Sequence, residues 1–136
     1  MKEKLFKLLS IFAVAIFMTG CWVGPPHYLE DLGNGYVVVA SDTMQDARII
    51  RKDPERPSSG LVAVHPTVFA YGWNEDFILA KRHPEKKDGK VDTSVTYWYI
   101  IEVTSGDVHG PMNEDEFLKL RTRLKVPEEI SFKTIQ

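Results

Sequence analysis

Residues 95–103, VTYWYIIEV, are β-branched or aromatic at every position except Glu102. Such residues favour an extended strand, and alternate side chains of a strand point to opposite faces. Both faces of this segment are apolar, so we expect the strand to be central in its sheet and covered on both sides. One face carries Tyr97, Tyr99 and Ile101, and the other carries Trp98 and Ile100.

Shorter strand patterns recur along the chain at close spacing. Residues 28–32 and 36–41 flank Asn34-Gly35, a pair that supplies the positive φ angles of a tight hairpin turn. Further strands are predicted at residues 47–51, 61–71 and 77–82, and a final short edge strand within 130–135. Pro66 interrupts the segment 61–71, which predicts an edge position or a bulge there. Residues 52–60 and 83–94 are polar and predict loops.

Residues 113–126 have the pattern of an amphipathic helix. Asn113 is a good N-cap, and Glu116 three residues later completes a capping-box pattern. Pro127 is expected to end the helix. The apolar face would consist of Phe117, Leu120 and Leu124.

Short links between the strands favour hairpins over parallel crossovers. The sequence therefore predicts an α+β domain: an antiparallel β-sheet of about five to seven strands, with one helix (about 113–126) packed on it.

The first 21 residues, MKEKLFKLLSIFAVAIFMTGC, have a basic head, an apolar run and small residues before a cysteine. This is the order of a secretory signal peptide. The last four, Met18-Thr19-Gly20-Cys21, resemble the lipobox of a bacterial lipoprotein, which usually has Leu at the first position. The resemblance implies that residues 1–20 are removed and that Cys21 is acylated on its sulfur. The alternative is an uncleaved membrane anchor over residues 5–23, although its apolar run is shorter than the ~20 residues that a span needs.

Cys21 is the only cysteine, so no disulfide can form within the chain and packing alone must hold the domain together. Residues 21–27 are expected to form a short tether, because Gly24-Pro25-Pro26 suits neither a helix nor a central strand, and the lipobox resemblance implies that this tether is lipidated at Cys21. Residues 28–136 form the single domain. The whole chain has a formal charge of −2, and residues 1–20 carry three Lys and one Glu, which leaves −4 for the rest. That balance argues against a nucleic-acid partner.

The sequence has no pattern typical of catalysis or metal binding. The histidines lie outside ligand spacings, no serine stands in a nucleophile elbow, and no glycine-rich phosphate loop is present. We therefore expect a protein that is not an enzyme and uses no metal or cofactor. Trp73 is the candidate binding residue, because its predicted position in a turn over residues 72–76 makes burial harder and exposed aromatics often mark interfaces. The histidines are His27, His65, His83 and His109.

Four segments, LGNGYVVV, FAYGWNEDFILAKRHP, YWYIIEV and GPMNEDEFLKLRTRLKVPE, together resemble a family of small bacterial lipoproteins that carries only the label of a domain of unknown function. The resemblance extends over residues 32–132. It implies a lipid anchor and a single domain, and it transfers no catalytic or ligand-binding residue to this chain.

We therefore expect a bacterial envelope lipoprotein, held in the membrane through Cys21 on the exported side, whose non-catalytic domain binds an envelope protein. One alternative is a sensor or carrier of a small ligand, with a pocket between sheet and helix beneath Phe117 and Leu120. A second alternative is an acid-dependent hydrolase, which would need two carboxylates in one cleft.

The lipid anchor can be tested directly at its cysteine. Replacing the thiol by a hydroxyl, Cys21→Ser, removes the atom that is acylated, so labelling by a fatty acid should be lost and the precursor should remain uncleaved. Metabolic labelling and the electrophoretic mobility of the protein measure both. A variant that is still labelled and matures normally would contradict the lipobox interpretation.

Overall fold

The structure is a computed structural model that describes residues 24–136. The predicted signal peptide, Cys21 and the start of the tether lie outside the described residues. Nine strands form two antiparallel sheets, and one α-helix lies near the C-terminus. The α+β class is confirmed. The strands are more numerous than the sequence predicts, and they are divided between two sheets.

The first sheet contains four strands in sequence order, β1-β2-β3-β4. The predicted hairpin between β1 and β2 is confirmed, with positive φ angles of 52° at Asn34 and 83° at Gly35. One turn of 3-10 helix, Met44–Asp46, precedes β3. The strands are β1 (Tyr28–Gly33), β2 (Tyr36–Ala40), β3 (Arg48–Lys52) and β4 (Gly60–Val64).

The second sheet has the order β8-β7-β6-β5-β9. No strand is predicted at β8 from the sequence, because Gly110 and Pro111 disfavour a strand. An edge strand tolerates proline, since one side of its backbone has no partner. The short edge strand predicted within 130–135 is confirmed as β9. The strands are β5 (Val68–Trp73), β6 (Phe77–Arg82), β7 (Tyr97–Glu102), β8 (Val108–Met112) and β9 (Lys133–Thr134).

Pro66 lies between two strands rather than within one. The segment predicted as a single strand over residues 61–71 is divided into β4 and β5, which belong to different sheets. The expected edge position is that of β4, the edge strand of the first sheet, and register shifts occur on both sides of Pro66, although Pro66 itself lies in neither strand. Proline has no N–H to donate to a ladder, so it is suited to the point where the chain leaves one sheet for the other.

Two hydrophobic cores meet at β7. Tyr99 and Ile101 belong to the core that the two sheets share, whereas Ile100 belongs to the core between the second sheet and the helix, against which Trp98 also packs. The central position predicted for this strand, and its coverage on both faces, are confirmed. The largest fully buried side chains of the shared core are Tyr36, Tyr71, Ile49, Ile78 and Ile101.

The helix, α1 (Glu114–Arg123), begins as the sequence predicts. The Asn113 side chain accepts a hydrogen bond from the backbone N–H of Glu116 at 2.9 Å, and the Glu116 carboxylate accepts one from the Asn113 N–H at 3.0 Å. This reciprocal pair satisfies two N–H groups that a helix start leaves without partners. The capping box is confirmed.

The helix ends at Arg123, four residues before Pro127. Lys125 takes a positive φ of 55°, and the backbone N–H of Val126 donates to the carbonyl of Arg121 at 3.0 Å. The Lys125 N–H donates to the carbonyl of Thr122 at 3.1 Å. These bonds form a Schellman motif, which terminates the helix without help from proline. Within residues 24–136, α1 and the 3-10 turn are both too short and too polar to cross a bilayer.

Phe117 is the side chain through which α1 is fixed to the second sheet, since it is only 1% exposed and its ring centroid lies 4.7 Å from that of Trp98. Phe117→Ala should lower the free energy of unfolding by about 3–5 kcal/mol, through lost burial and the cavity left behind. The neighbouring Leu118 is 51% exposed, so Leu118→Ala should stay within about 0.5 kcal/mol of the wild type. Urea unfolding measures both, and equal losses would contradict this packing.

Candidate functional site

Trp73 is the last residue of β5 and not part of the turn that follows it. The predicted turn position is therefore wrong. Trp73 and Tyr71 are two residues apart on one strand, so their side chains lie on the same face, and the rings stack with centroids 5.7 Å apart. Tyr71 is fully buried, whereas Trp73 is half-buried and packs against the edge of the shared core. Part of the indole thus remains available to a ligand.

A groove of about 590 Å³ lies beside Trp73, between the β1–β2 and β5–β6 turns. We call it the Trp73 groove. Asn34 on the first turn and both Glu75 and Asp76 on the second are exposed. The groove therefore combines an aromatic wall with amide and carboxylate groups. Its lining consists of Leu32, Gly33, Asn34, Trp73, Asn74, Glu75 and Asp76.

Hydrogen bonds hold the two turns in place. The side-chain oxygen of Asn74 accepts from the N–H groups of Asp76 at 2.9 Å and Phe77 at 2.8 Å, which fixes the β5–β6 turn. The Asn34 amide donates to the backbone carbonyl of Glu75 at 3.4 Å and so joins the two turns. Because each turn belongs to a different sheet, the groove forms only where the two sheets end together.

A polar cluster, which we call the Glu30 cluster, lies behind Trp73. The Glu30 carboxylate accepts a hydrogen bond from the Tyr28 hydroxyl at 2.8 Å and another from the Tyr71 hydroxyl. Lys133 Nζ lies 2.6 and 2.8 Å from the two oxygens of the same carboxylate. The cluster joins β1 of the first sheet to β5 and β9 of the second, so it fastens the two sheets at this edge.

Lys133 also lies over the aromatic rings of the site. Its Nζ is 5.4 Å from the ring centroid of Tyr71 and 5.7 Å from that of Trp73. A cation at this distance is attracted by the negative face of a ring. The ion pair with Glu30 and the contacts with the two rings together fix the position of Lys133. The charged side chain of Lys133 therefore packs against the indole of Trp73.

Sequence reasoning missed Glu30, Tyr28 and Lys133 as part of this site. Glu30 and Lys133 are 103 residues apart, and neither lies in a local motif. The only local signal is the alternation of Tyr28 and Glu30 on β1, which places both side chains on the inner face of an edge strand. A carboxylate on an inner face needs a partner, although its identity cannot be read from the sequence.

The interface between helix and sheet is closely packed. Phe117 and Leu120 are buried, and Phe132 completes an aromatic group with Trp98 and Phe117, at centroid distances of 5.6 and 6.1 Å. This packing counts against the ligand pocket that the sensor hypothesis places beneath the helix. A separate apolar cavity beside Phe69 and His83 holds about 230 Å³, which is below the ~300 Å³ typical of small-molecule sites.

A larger groove, of about 860 Å³, lies at the C-terminal end of α1. Charged and apolar residues at the end of the helix line most of this groove, and no aromatic ring is among them. Arg121, one of its two cations, already donates to the carbonyls of Pro127 at 2.8 Å and Ile130 at 3.1 Å. As a binding site, this groove is favoured only by its larger volume. The Trp73 groove is favoured by its aromatic ring and by its carboxylates, which make no ion pair within residues 24–136.

The four histidines lie apart from one another and from the Trp73 groove. His27 and His65 are exposed. The His83 ring stacks on Phe69 at 4.1 Å, and His109 Nε2 lies 2.8 Å from a carboxylate oxygen of Glu102. Across residues 24–136, no three side chains of the His, Cys, Asp or Glu types are grouped so that they could hold a metal ion.

Residues 33–136 match the model of a family described as protein of unknown function, DUF3997. The chain belongs to this family. The match begins at the β1–β2 turn and extends to the last residue, so the DUF3997 region includes both turns of the Trp73 groove and Lys133, while most of β1 precedes it. No curated protein and no solved structure matches the chain. The resemblance to an uncharacterised domain family is confirmed, and the family description does not mention a lipid anchor.

The Glu30 cluster raises the pKa of Tyr28 from 10.0 to about 12, first through burial, then through the hydrogen bond to Glu30 and the negative charge of that carboxylate. The folded protein therefore keeps this proton at a pH where the unfolded chain loses it, so the stabilisation is complete below pH 10 and is lost as the pH rises towards 12.

We predict that the free energy of unfolding falls between pH 10 and 12, and that Tyr28→Phe makes this fall shallower. Urea unfolding across this pH range measures the difference. Glu30→Gln should have a partial effect, because it removes the carboxylate charge and leaves the burial. Identical slopes in all three proteins would contradict the proposed role of Glu30.

Proposed function

We propose that this chain is an exported, lipid-anchored binding protein, and that its domain recognises a basic segment of another envelope protein through the Trp73 groove. The observation that carries the proposal is the groove itself, where a half-buried Trp73 lies beside two turns that a hydrogen bond joins. A rigid aromatic anchor beside polar groups is the usual centre of a binding surface.

The charge of the groove supports a basic partner. Glu75 and Asp76 are exposed at its rim, and no ion pair within residues 24–136 involves either carboxylate. A lysine or arginine entering the groove could pair with these acids, and its methylene groups could lie on the indole. The net charge of −4 predicted for the chain after Gly20 would steer a cationic segment towards the domain.

The geometry supports binding more than catalysis. Glu75 and Asp76 are the two carboxylates of the groove, and both are exposed. General acid catalysis near neutral pH requires a carboxyl group that is shielded from water. In the Glu30 cluster, both carboxylate oxygens are already engaged by Lys133 and by tyrosine hydroxyls. Neither set therefore offers the shielded acid that such a hydrolase needs.

The anchor is proposed from the sequence, since Cys21 lies outside the described residues. Gly24, Pro25 and Pro26 follow it closely and have no regular secondary structure. A tether of this length would keep the domain close to the membrane, where the accessible partners are membrane-associated proteins. A lipid anchor and a partner groove within one short domain are consistent with an adaptor or a receptor subunit.

Comparison of two charge reversals tests the groove. Glu75→Lys should strongly reduce the amount of partner that is cross-linked and purified with the protein from membranes, because it places a cation where a basic segment would bind. Glu129→Lys is the matched control, since it reverses an exposed acid at the other groove and should leave binding unchanged. Quantitative mass spectrometry of the purified material measures both.

Trp73→Ala should reduce the same interaction, although part of its effect will come from lost packing against the core. Unfolding curves of each variant separate the two contributions. The proposal would be wrong if Glu75→Lys retained every partner that the wild type binds, or if the control lost the same proteins.

A further inference from the structure

The outward face of the first sheet carries a row of apolar side chains. In the strand register, Val37, Ile50 and Val62 lie side by side across β2, β3 and β4, and Leu29 lies opposite Val39 across β1 and β2. Leu29 is 59% exposed and Val62 is 41% exposed. We call these five residues the outer apolar face.

Neither the second sheet nor α1 covers this face. The opposite side of the same strands faces the second sheet, through Tyr36, Val38 and Ile49. The helix packs on β7 of the other sheet. Val37 is buried, yet it belongs to neither core, as expected for a residue of the outer face that its own neighbours cover. The exposed members of the face, Leu29 and Val62, lie on the two edge strands, so the apolar row extends across the whole sheet.

The tether reaches the domain at this same face. Gly24, Pro25, Pro26 and His27 border a surface depression together with Val39, a member of the outer apolar face. Cys21 precedes Gly24 by three residues, and an extended chain advances by at most ~3.6 Å per residue. An acyl group on Cys21 would therefore enter the bilayer within roughly 11 Å of the point where the tether meets the sheet.

We propose that the outer apolar face lies on the phospholipid surface, so that the first sheet and the acyl chains contact the same membrane. This inference rests on the proposed lipidation of Cys21. Leucine and valine side chains would enter the boundary between headgroups and acyl chains, where apolar burial stabilises association. The membrane is preferred over other occupants because the tether delivers its anchor beside this face.

Charged side chains of both signs surround the outer apolar face, so apolar contact and not net charge would carry the association. Arg48 and Lys52 alternate with Ile50 on β3, which directs both cations to the outer side. Arg48 is paired with Asp46 at 2.5 Å, and Asp31 on β1 is the acid of the outer face. Lys52 is exposed and can meet a lipid phosphate.

This orientation determines where the Trp73 groove would lie. β1 begins beside the tether and ends at the turn that borders the groove. Six strand residues span roughly 20 Å. With the sheet flat on the membrane, the groove would lie at the side of the domain and beside the bilayer, where a segment of a membrane-associated partner can reach it.

The position of the face can be measured with a fluorescent label in the full-length lipidated protein. Leu29→Cys and Val62→Cys place an environment-sensitive fluorophore on the face, and Leu118→Cys places it on the exposed side of α1 as the matched control. Each protein is purified from cells that process its signal and is reconstituted in vesicles of phosphatidylethanolamine and phosphatidylglycerol. The vesicles also contain a spin-labelled lipid that quenches fluorophores at the bilayer surface.

We expect blue-shifted emission and strong quenching at positions 29 and 62, and water-like emission without quenching at position 118. Equal, water-like signals at all three positions would overturn the proposal. The proposal would also be overturned by blue-shifted emission at position 29 without lipid quenching, if two copies of the chain cross-link through that position. The occupant of the face would then be a second copy of the chain.

The unmodified protein distinguishes this inference from the proposed function. Its Cys21 thiol reacts with the fluorophore in detergent only if it carries no lipid. Labelling of the wild type would therefore refute the anchor on which both proposals rest. If the wild type is not labelled and the fluorophores at positions 29 and 62 give water-like emission, the proposed orientation of the sheet is refuted. The proposals of a lipid anchor and of a binding groove would not be affected by that result.

Discussion

Burial of β7 on both faces organises this domain. One face of the strand contributes Tyr99 and Ile101 to the core shared by the two sheets, and the other contributes Ile100 to the core beneath the helix. A strand that is apolar on both sides gains most from burial when a layer covers each of its faces. The first sheet and α1 are those layers, so the three-layer arrangement follows from a single segment. Because the chain has one cysteine, packing of these layers has to supply the stability.

Features that depend on neighbouring residues could be predicted from the sequence. The Asn34-Gly35 turn, the capping box at Asn113 and the two apolar faces of β7 each follow from a few adjacent side chains, and all are confirmed. The division between two sheets could not be predicted in this way. Pro66 signals an interruption, yet a bulge and a crossing between sheets produce the same local pattern.

The candidate site shows the same limit. Trp73 is a candidate because it is a large aromatic residue in a predicted turn. The structure places it in β5 and not in the turn. Its surroundings come from distant parts of the chain: Asn34 from the first hairpin, Glu30 from an edge strand and Lys133 from the last strand. Such contacts are created by the packing of one sheet on the other, and no spacing in the sequence records them. The groove therefore depends on the same layer packing that β7 organises.

The Trp73 groove is proposed to hold a partner at the membrane. Photo-cross-linking in living cells tests this most directly, with a photoreactive amino acid introduced at Asp76, which is exposed and lines the groove, or at Leu118, which is exposed on the helix. A discrete cross-linked protein is expected from position 76 that position 118 does not yield. The same cross-links from both positions, or none from position 76 in cells that produce the protein from its own gene, would contradict the proposal.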